Sequence, residues 1–301
     1  MKKKNRDDIF FACFADGSSE MQAAGIRITE QAKSSNIFCG YFLFDKIKLR
    51  SAKELPNNVN FVMREEIPQF GWGVWKPIMI KLLLHDIPEG AILFYCDSGT
   101  ELLVNAFSKK RMLRVLRRTG TQPVIAFETK FPEFYYTKSK CLNLLENIEH
   151  KETFQIETTT IIIKNCAESR DFIDRWEDLS TCDDLSWIDD SLQIERDDFL
   201  APRRDQSTFS ILYKNAGYRG LRMGQVLGYW HEQSELSLLR RMVFNSFFLW
   251  QIRNRTGDTV LKNYQTSNAL SFTLLPLQYL VTPLHKTSIL RKMIKQKLEM
   301  Y

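Results

Sequence analysis

Three short stretches carry side chains able to act on a charged ligand. Asp97 ends the apolar run Ala91–Cys96 and is followed by Ser98 and Gly99. A carboxylate at that place can hold a hard cation, and the cation can hold a phosphate. Lys76 stands just before Pro77, and Pro77 suits the first position of a helix running to His85. An ammonium at such a helix start favours an anion, because the dipole adds to its charge. Asp205-Gln206 opens a helical segment that runs to about Asn215 and stops at Gly217. Asp205 is also an N-cap by residue type, and that structural role accounts for it on its own. His231 could complete the coordination of a metal, bind a phosphate, or do neither.

A second set of residues is suited to neutral, hydroxylated ligands. Phe131 to Lys138 packs aromatic and polar residues together, with Glu133, Tyr135 and Tyr136 among them. Sugars bind through hydrogen bonds to hydroxyls and stacking on C–H faces, and this stretch supplies both. It equally suits a surface loop with buried rings. Gln155 and Thr158 stand at the polar start of the β-branched stretch Gln155–Ile163, as expected of a strand entering a site.

The elements that must position these groups alternate. Ile9 to Ala15 reads as a buried strand and Asp16-Gly17-Ser18 as a turn. Ser19-x-x-Gln22 fits a capping box for a helix to Lys33. Ile37 to Phe44 completes a βαβ unit, whose first turn is open to a nucleotide. No GxGxxG is present, so a dinucleotide fold is not indicated. Ala91–Cys96 is apolar on both faces and belongs in the middle of a sheet covered by helices. Gly71 and Gly73 free the backbone around Trp72 and Trp75. A helix over Ala106–Arg118 carries Lys109, Lys110, Arg111, Arg114, Arg117 and Arg118, a solvated face or a membrane-surface contact. Phe172, Ile173, Trp176 and Leu179 have helical spacing and read as core. The fold class is α/β.

The chain has 301 residues, a formal net charge of +6 and 44% hydrophobic residues, so one large α/β domain with an appendage fits. The charge is too small to indicate nucleic-acid binding. Six cysteines, Cys13, Cys39, Cys96, Cys141, Cys166 and Cys182, show no metal-site spacing, which favours a reducing, cytoplasmic setting. The weak apolar run after Met1-Lys2-Lys3-Lys4 argues against an export signal. Leu236–Trp250 reads as an amphipathic helix, Ala269–Leu284 as an uncharged stretch broken by Pro276 and Pro283, and Lys286–Lys297 as a basic periodic end. The expected division is 1–235 as the main domain and 236–301 as a helical, basic tail. That tail packs on the domain or lies on the inner face of a membrane.

The order of these pieces resembles a group of bacterial glycosyltransferases. Arg27, Trp75-Lys76-Pro77, Tyr95-Cys96-Asp97-Ser98-Gly99, Glu133 with Thr137-Lys138, Gln155 and Arg204-Asp205-Gln206-Ser207 carry the resemblance, over roughly residues 9–232. The group is of the GT-A type, similar in outline to glycogenin and lipopolysaccharide galactosyltransferases and often tied to surface polysaccharide synthesis. The resemblance implies a Rossmann-type mixed sheet sandwiched by helices. It implies a nucleotide-sugar donor, with a UDP-sugar first, and a glycan or glycolipid acceptor. It also implies a divalent cation, Mn2+ or Mg2+, with Asp97 matching the first acid of a DxD motif. Gly99 replaces the second acid, so metal binding would be weak, completed by His231 or water, or absent. If absent, Lys76 would steady the departing diphosphate.

On that reading Phe14, Ala15 and Asp16 lie near the base, and Arg27 reaches a phosphate or fixes the loop. Trp75, Lys76, Ser98 and Gly99 line the donor, and Gln155, Thr158 and Gln206 hold sugar hydroxyls. If transfer inverts, Asp205 is the candidate base and Glu133 the reserve; if it retains, Asp205 orients the donor. Three other readings compete, the third being nucleic-acid binding, which would need the basic helix Ala106–Arg118 to be part of a wider basic face. A nucleotidyltransferase would need a glycine- and arginine-rich stretch near Phe14–Ser19, which is missing. A non-catalytic carbohydrate-binding or assembly protein would suit the missing second acid.

Overall fold

The computed structural model describes residues 8–51, 71–181, 187–188, 195–222, 227–229 and 249–251. His231, Cys182, most of the stretch before Phe70 and the tail beyond Gln251 lie outside the described residues. In chain order the strands are β1 (Ile9–Phe14), β2 (Gly40–Phe44), β3 (Ile92–Cys96), β4 (Thr100–Leu102), β5 (Val124–Ile125), β6 (Glu128–Pro132), β7 (Phe154–Ile156), β8 (Thr160–Lys164), β9 (Leu227–Tyr229) and β10 (Leu249–Gln251). The helices are α1 (Ser19–Ser34), α2 (Lys46–Ser51), α3 (Trp75–Asp86), α4 (Ala106–Leu116), α5 (Glu133–Tyr136), α6 (Ser139–Leu142), α7 (Ala167–Ser180) and α8 (Asp205–Asn215).

The main sheet has the order β2-β1-β3-β8-β5. β1 runs parallel to β2 and β3, while β8 is antiparallel to both β3 and β5. This is the mixed sheet expected from the sequence. All five residues of β3 are buried, because helices cover both faces. On one face Ile78, Met79 and Leu83 of α3, Phe172 and Trp176 of α7, and Phe209 and Tyr213 of α8 pack in one cluster. On the other, Ile28 and Ala32 of α1 meet Met112, Val115 and Leu116 of α4. Asn165 closes the far end of α3 by donating to the carbonyls of Leu84 at 2.8 Å and Ile87 at 2.9 Å.

Several boundaries differ from expectation, each for a local reason. α1 is capped by Ser18, whose hydroxyl accepts from the Met21 amide at 3.3 Å; Ser19 is already helical. α3 begins at Trp75, two residues before Pro77. Proline's missing N–H is harmless throughout the first turn, so it does not fix the start. Phe131–Lys138 is not a loop: it is the end of β6 followed by the helical turn α5. Gln155–Ile163 is two strands, with Glu157–Thr159 as the break. A helix over Leu236–Trp250 is contradicted at its end, where β10 pairs antiparallel with β4 and parallel with β9. Backbone pairing to a waiting edge there overrides helical periodicity. Among the described residues no helix is long and apolar enough to cross a membrane.

Candidate active site

Two parallel strands end side by side, and the candidate site begins there. β3 delivers Asp97 just past its carboxyl end, and β1 delivers Phe14 with Ala15 and Asp16 following. Asp97 accepts the Tyr95 hydroxyl on Oδ1, and the Lys76 ammonium lies 3.4 Å from the same oxygen. Its side chain keeps 38% of its surface open. No described donor reaches Oδ2.

Lys76 is the hub. Its Nζ lies 3.3 Å from Asp205 Oδ2 and donates to the Thr158 carbonyl at 3.1 Å and hydroxyl at 3.2 Å. Thr158 in turn donates to Asp205 Oδ2 at 2.9 Å. The break between β7 and β8 is what turns Thr158 toward the ammonium. Burial pulls the Lys76 pKa down, but Asp205 and Asp97 together outweigh it and hold the lysine above its ordinary value. Burial likewise raises Asp205, with Lys76 and Thr158 opposing. The expectation that Lys76 awaits a ligand anion is therefore corrected. Its donors are already taken by groups of the chain, and its side chain is only 7% exposed. It fixes two carboxylates in space.

Asp205 is not an N-cap, which corrects that structural alternative. Arg204 holds the cap position, and Asp205 is the first helical residue. The Trp176 indole donates to the Asp205 carbonyl at 3.2 Å. Arg204 adopts φ 56°, in the left-handed region that bulky residues avoid. Opposite, Gly71, Trp72 and Gly73 have φ 85°, 55° and 89°. A Cβ on Gly73 would stand 2.5 Å from Asp205 Oδ1. Gly73 is thus part of the site's construction, although only its backbone freedom was legible in the sequence.

The remaining predicted residues divide by exposure. Phe14 and Trp75 stack on each other, centroids 3.9 Å apart, and both are buried. Ala15 is buried beside them. Asp16 accepts from the Gly17 amide at 2.7 Å and the Lys46 amide at 2.9 Å, which shapes the turn. Arg27 fixes the loop: its Nη2 donates to the carbonyls of Ser98 at 2.7 Å and Thr100 at 3.0 Å, and Glu101 lies 3.6 Å from Nη1. Ser98 is buried and Gly99 is half-buried. Gln155 is fully buried, while Gln206 is half-buried and donates to it at 2.7 Å.

Glu133 as reserve base is corrected. It has no exposure, and it accepts from Lys214 at 2.5 Å, from Gln155 at 3.1 Å, and from the Ser210 and Thr137 hydroxyls. Two carboxylate oxygens offer about four lone-pair directions, so none is left for a substrate.

Among the described residues no group of three His, Cys, Asp or Glu side chains could hold a metal. An all-protein cage is therefore not formed by them. A cation carried by a substrate's phosphates needs less, since Mg2+ commonly takes one or two carboxylates and keeps several waters. Asp97 Oδ2 meets that requirement.

No family model matches the chain, and no curated protein matches it. Among solved structures the chain is similar to the WbbM bifunctional glycosyltransferase, at 11% identity and TM-score 0.44, over 83% of this chain and 46% of that one. It is similar to mouse xyloside xylosyltransferase 1, at 8% identity and TM-score 0.45, over 84% of this chain and 100% of that one. It is also similar to the galactosyltransferase LgtC, solved with donor and acceptor sugar analogues, at 11% identity and TM-score 0.43, over 93% of this chain and 98% of that one. The chain spans about half the length of WbbM. These are similarities of chain outline. All three of those proteins are named as glycosyltransferases.

Proposed function

We propose that the chain transfers a sugar from a nucleoside diphosphate, with UDP first, to a hydroxyl of a glycan or glycolipid. One observation carries this reading. A half-exposed carboxylate, Asp97, is held at the carboxyl end of the central strand by a buried lysine that also holds Asp205. Such a group suits a substrate-borne cation on a pyrophosphate, and Asp97 is the residue that would hold it. When bound, the cation would offset the charge that develops on the departing diphosphate.

The chain's own residues do the rest. Lys76 fixes the spacing between Asp97 and Asp205, so that Asp97 meets the ligand without reorganising. Asp205 is a positioning residue: it is 9% exposed on its side chain, and its Oδ2 is engaged by Lys76 and Thr158. Arg27 holds the backbone of Ser98 and Thr100, which sets where Asp97 points. Gln206 faces the ligand beside Asp205. The stacked Phe14 and Trp75 floor the turn at Asp16, where the base would lie.

The test is a panel of nucleoside-diphosphate sugars scored by nucleotide release, since slow donor hydrolysis needs no acceptor. Titration calorimetry with UDP, with and without manganese, accompanies it. Release from at least one donor, with UDP binding strengthened by manganese, supports the reading. A chain that binds no nucleoside diphosphate and releases none overturns it.

A further inference from the structure

A buried polar chain runs through the α8 helix from Lys214 back to Gln206. Glu133 stands at its root and accepts four hydrogen bonds on its two oxygens. Thr137 gives its hydroxyl hydrogen to Glu133, and Ser207 gives its own to the Tyr136 carbonyl at 3.1 Å. Both hydroxyl oxygens then face Gln155 with lone pairs only, at 2.7 Å and 3.3 Å. Glu133 Oε1 is the third acceptor at the same end, 3.1 Å away. Three acceptors around one end of a carboxamide require that end to be nitrogen. Gln155 Oε1 must therefore point the other way, where it receives Gln206 Nε2 at 2.7 Å. That leaves Gln206 Oε1 directed outward on a half-buried residue next to Asp205, and no described donor reaches it.

We infer that the Lys214–Glu133 pair, acting through Gln155, fixes the polarity of the Gln206 amide, so that position 206 presents its carbonyl oxygen to a ligand as an acceptor. A hydroxyl, as on a sugar, satisfies it; a phosphate or carboxylate oxygen is repelled. Glu133, Lys214 and Gln155 are positioning residues in this scheme. The polarity stands on the chain alone, while the identity of the ligand rests on the proposed transfer.

The side-chain carboxamide signals of the full chain, labelled with 15N-glutamine, test the polarity without any ligand. Gln206 is assigned by its loss in Gln206→Leu. In the wild type its hydrogen-bonded proton should exchange several-fold more slowly than those of an exposed glutamine. Glu133→Gln and Lys214→Met each remove the charge at the root and should abolish that protection while circular dichroism still reports a folded chain. An unprotected Gln206 in the wild type, or protection unchanged in folded variants, would overturn the inference. Gln206→Glu asks the same question without touching the buried root. It sets an oxygen against Gln155 Oε1 and should lower the melting temperature, whereas an unchanged melting temperature counts against the scheme. Calorimetry with UDP-glucose, other UDP-sugars and UDP, each with magnesium, forms a separate arm. The wild type should prefer a UDP-sugar over UDP, and Glu133→Gln should lose that preference while keeping its affinity for UDP. If the wild type binds none of them, the transfer reading fails and the exchange result still decides the polarity.

Discussion

At the scale of single residues, the proposed transfer places its chemistry on position 97 and its geometry on position 76. Asp97→Ala should lower nucleotide release by at least about a hundredfold. Its melting temperature should stay near that of the wild type, because the side chain is 38% exposed and Lys76 keeps Asp205. Activity retained and still responsive to metal would remove Asp97 from the mechanism. Lys76→Met should instead be a stability variant, costing about 3–5 kcal/mol because Asp205 stays buried without its cation. Lys76 has a folded pKa above its ordinary 10.5, so its contribution is complete below about pH 10.5 and is lost as pH rises through the folded value. The difference in melting temperature between wild type and Lys76→Met should therefore hold steady from neutral pH up to about pH 10.5 and shrink beyond it. Gly73→Ala should cost at least about 1–2 kcal/mol for its left-handed backbone alone, before the contact with Asp205. Asp97 was legible in the sequence because a strand that stops at an acid has one plausible place in a sheet. The partner of Lys76 was not, because nothing in the sequence says that residues 76 and 205 meet. Glu133 was misassigned because its burial, unlike its acidity, is invisible in sequence.

At the scale of elements, the site depends on interruptions. β7 and β8 are separated at Glu157–Thr159, and the gap admits the lysine from α3. β3 and β4 are separated by Asp97–Gly99, and Arg27 from α1 grips the carbonyls on the far side. Arg27→Met should cost about 3–5 kcal/mol, since Glu101 is fully buried and loses this partner. Denaturant unfolding checks the cost, and weakened UDP binding in the folded fraction checks the clamp. An unchanged midpoint would show that the loop holds itself. Long periodic elements such as α1 and α7 were readable from hydrophobic spacing, because one face meets the sheet. The short ones were not. α5 and β10 are set by backbone partners distant in sequence, and aromatic composition or helical periodicity misleads there.

At the scale of the whole molecule, β4 is an edge that needs covering. β10 supplies that cover by pairing Trp250 with Glu101 and Leu249 with Leu102. A chain ended at residue 235 should therefore melt several degrees lower than the full chain and associate more readily, as an uncovered edge does. Equal melting and equal dispersity would mark everything from residue 236 as a separable appendage. The pairing has a further consequence during synthesis. The three residues after Gly99 are grasped by α1, which emerges early, and by β10, which emerges late. Nascent chains stalled before Gln251 has cleared the ribosome should thus carry a formed main sheet with β4 still waiting for its partner.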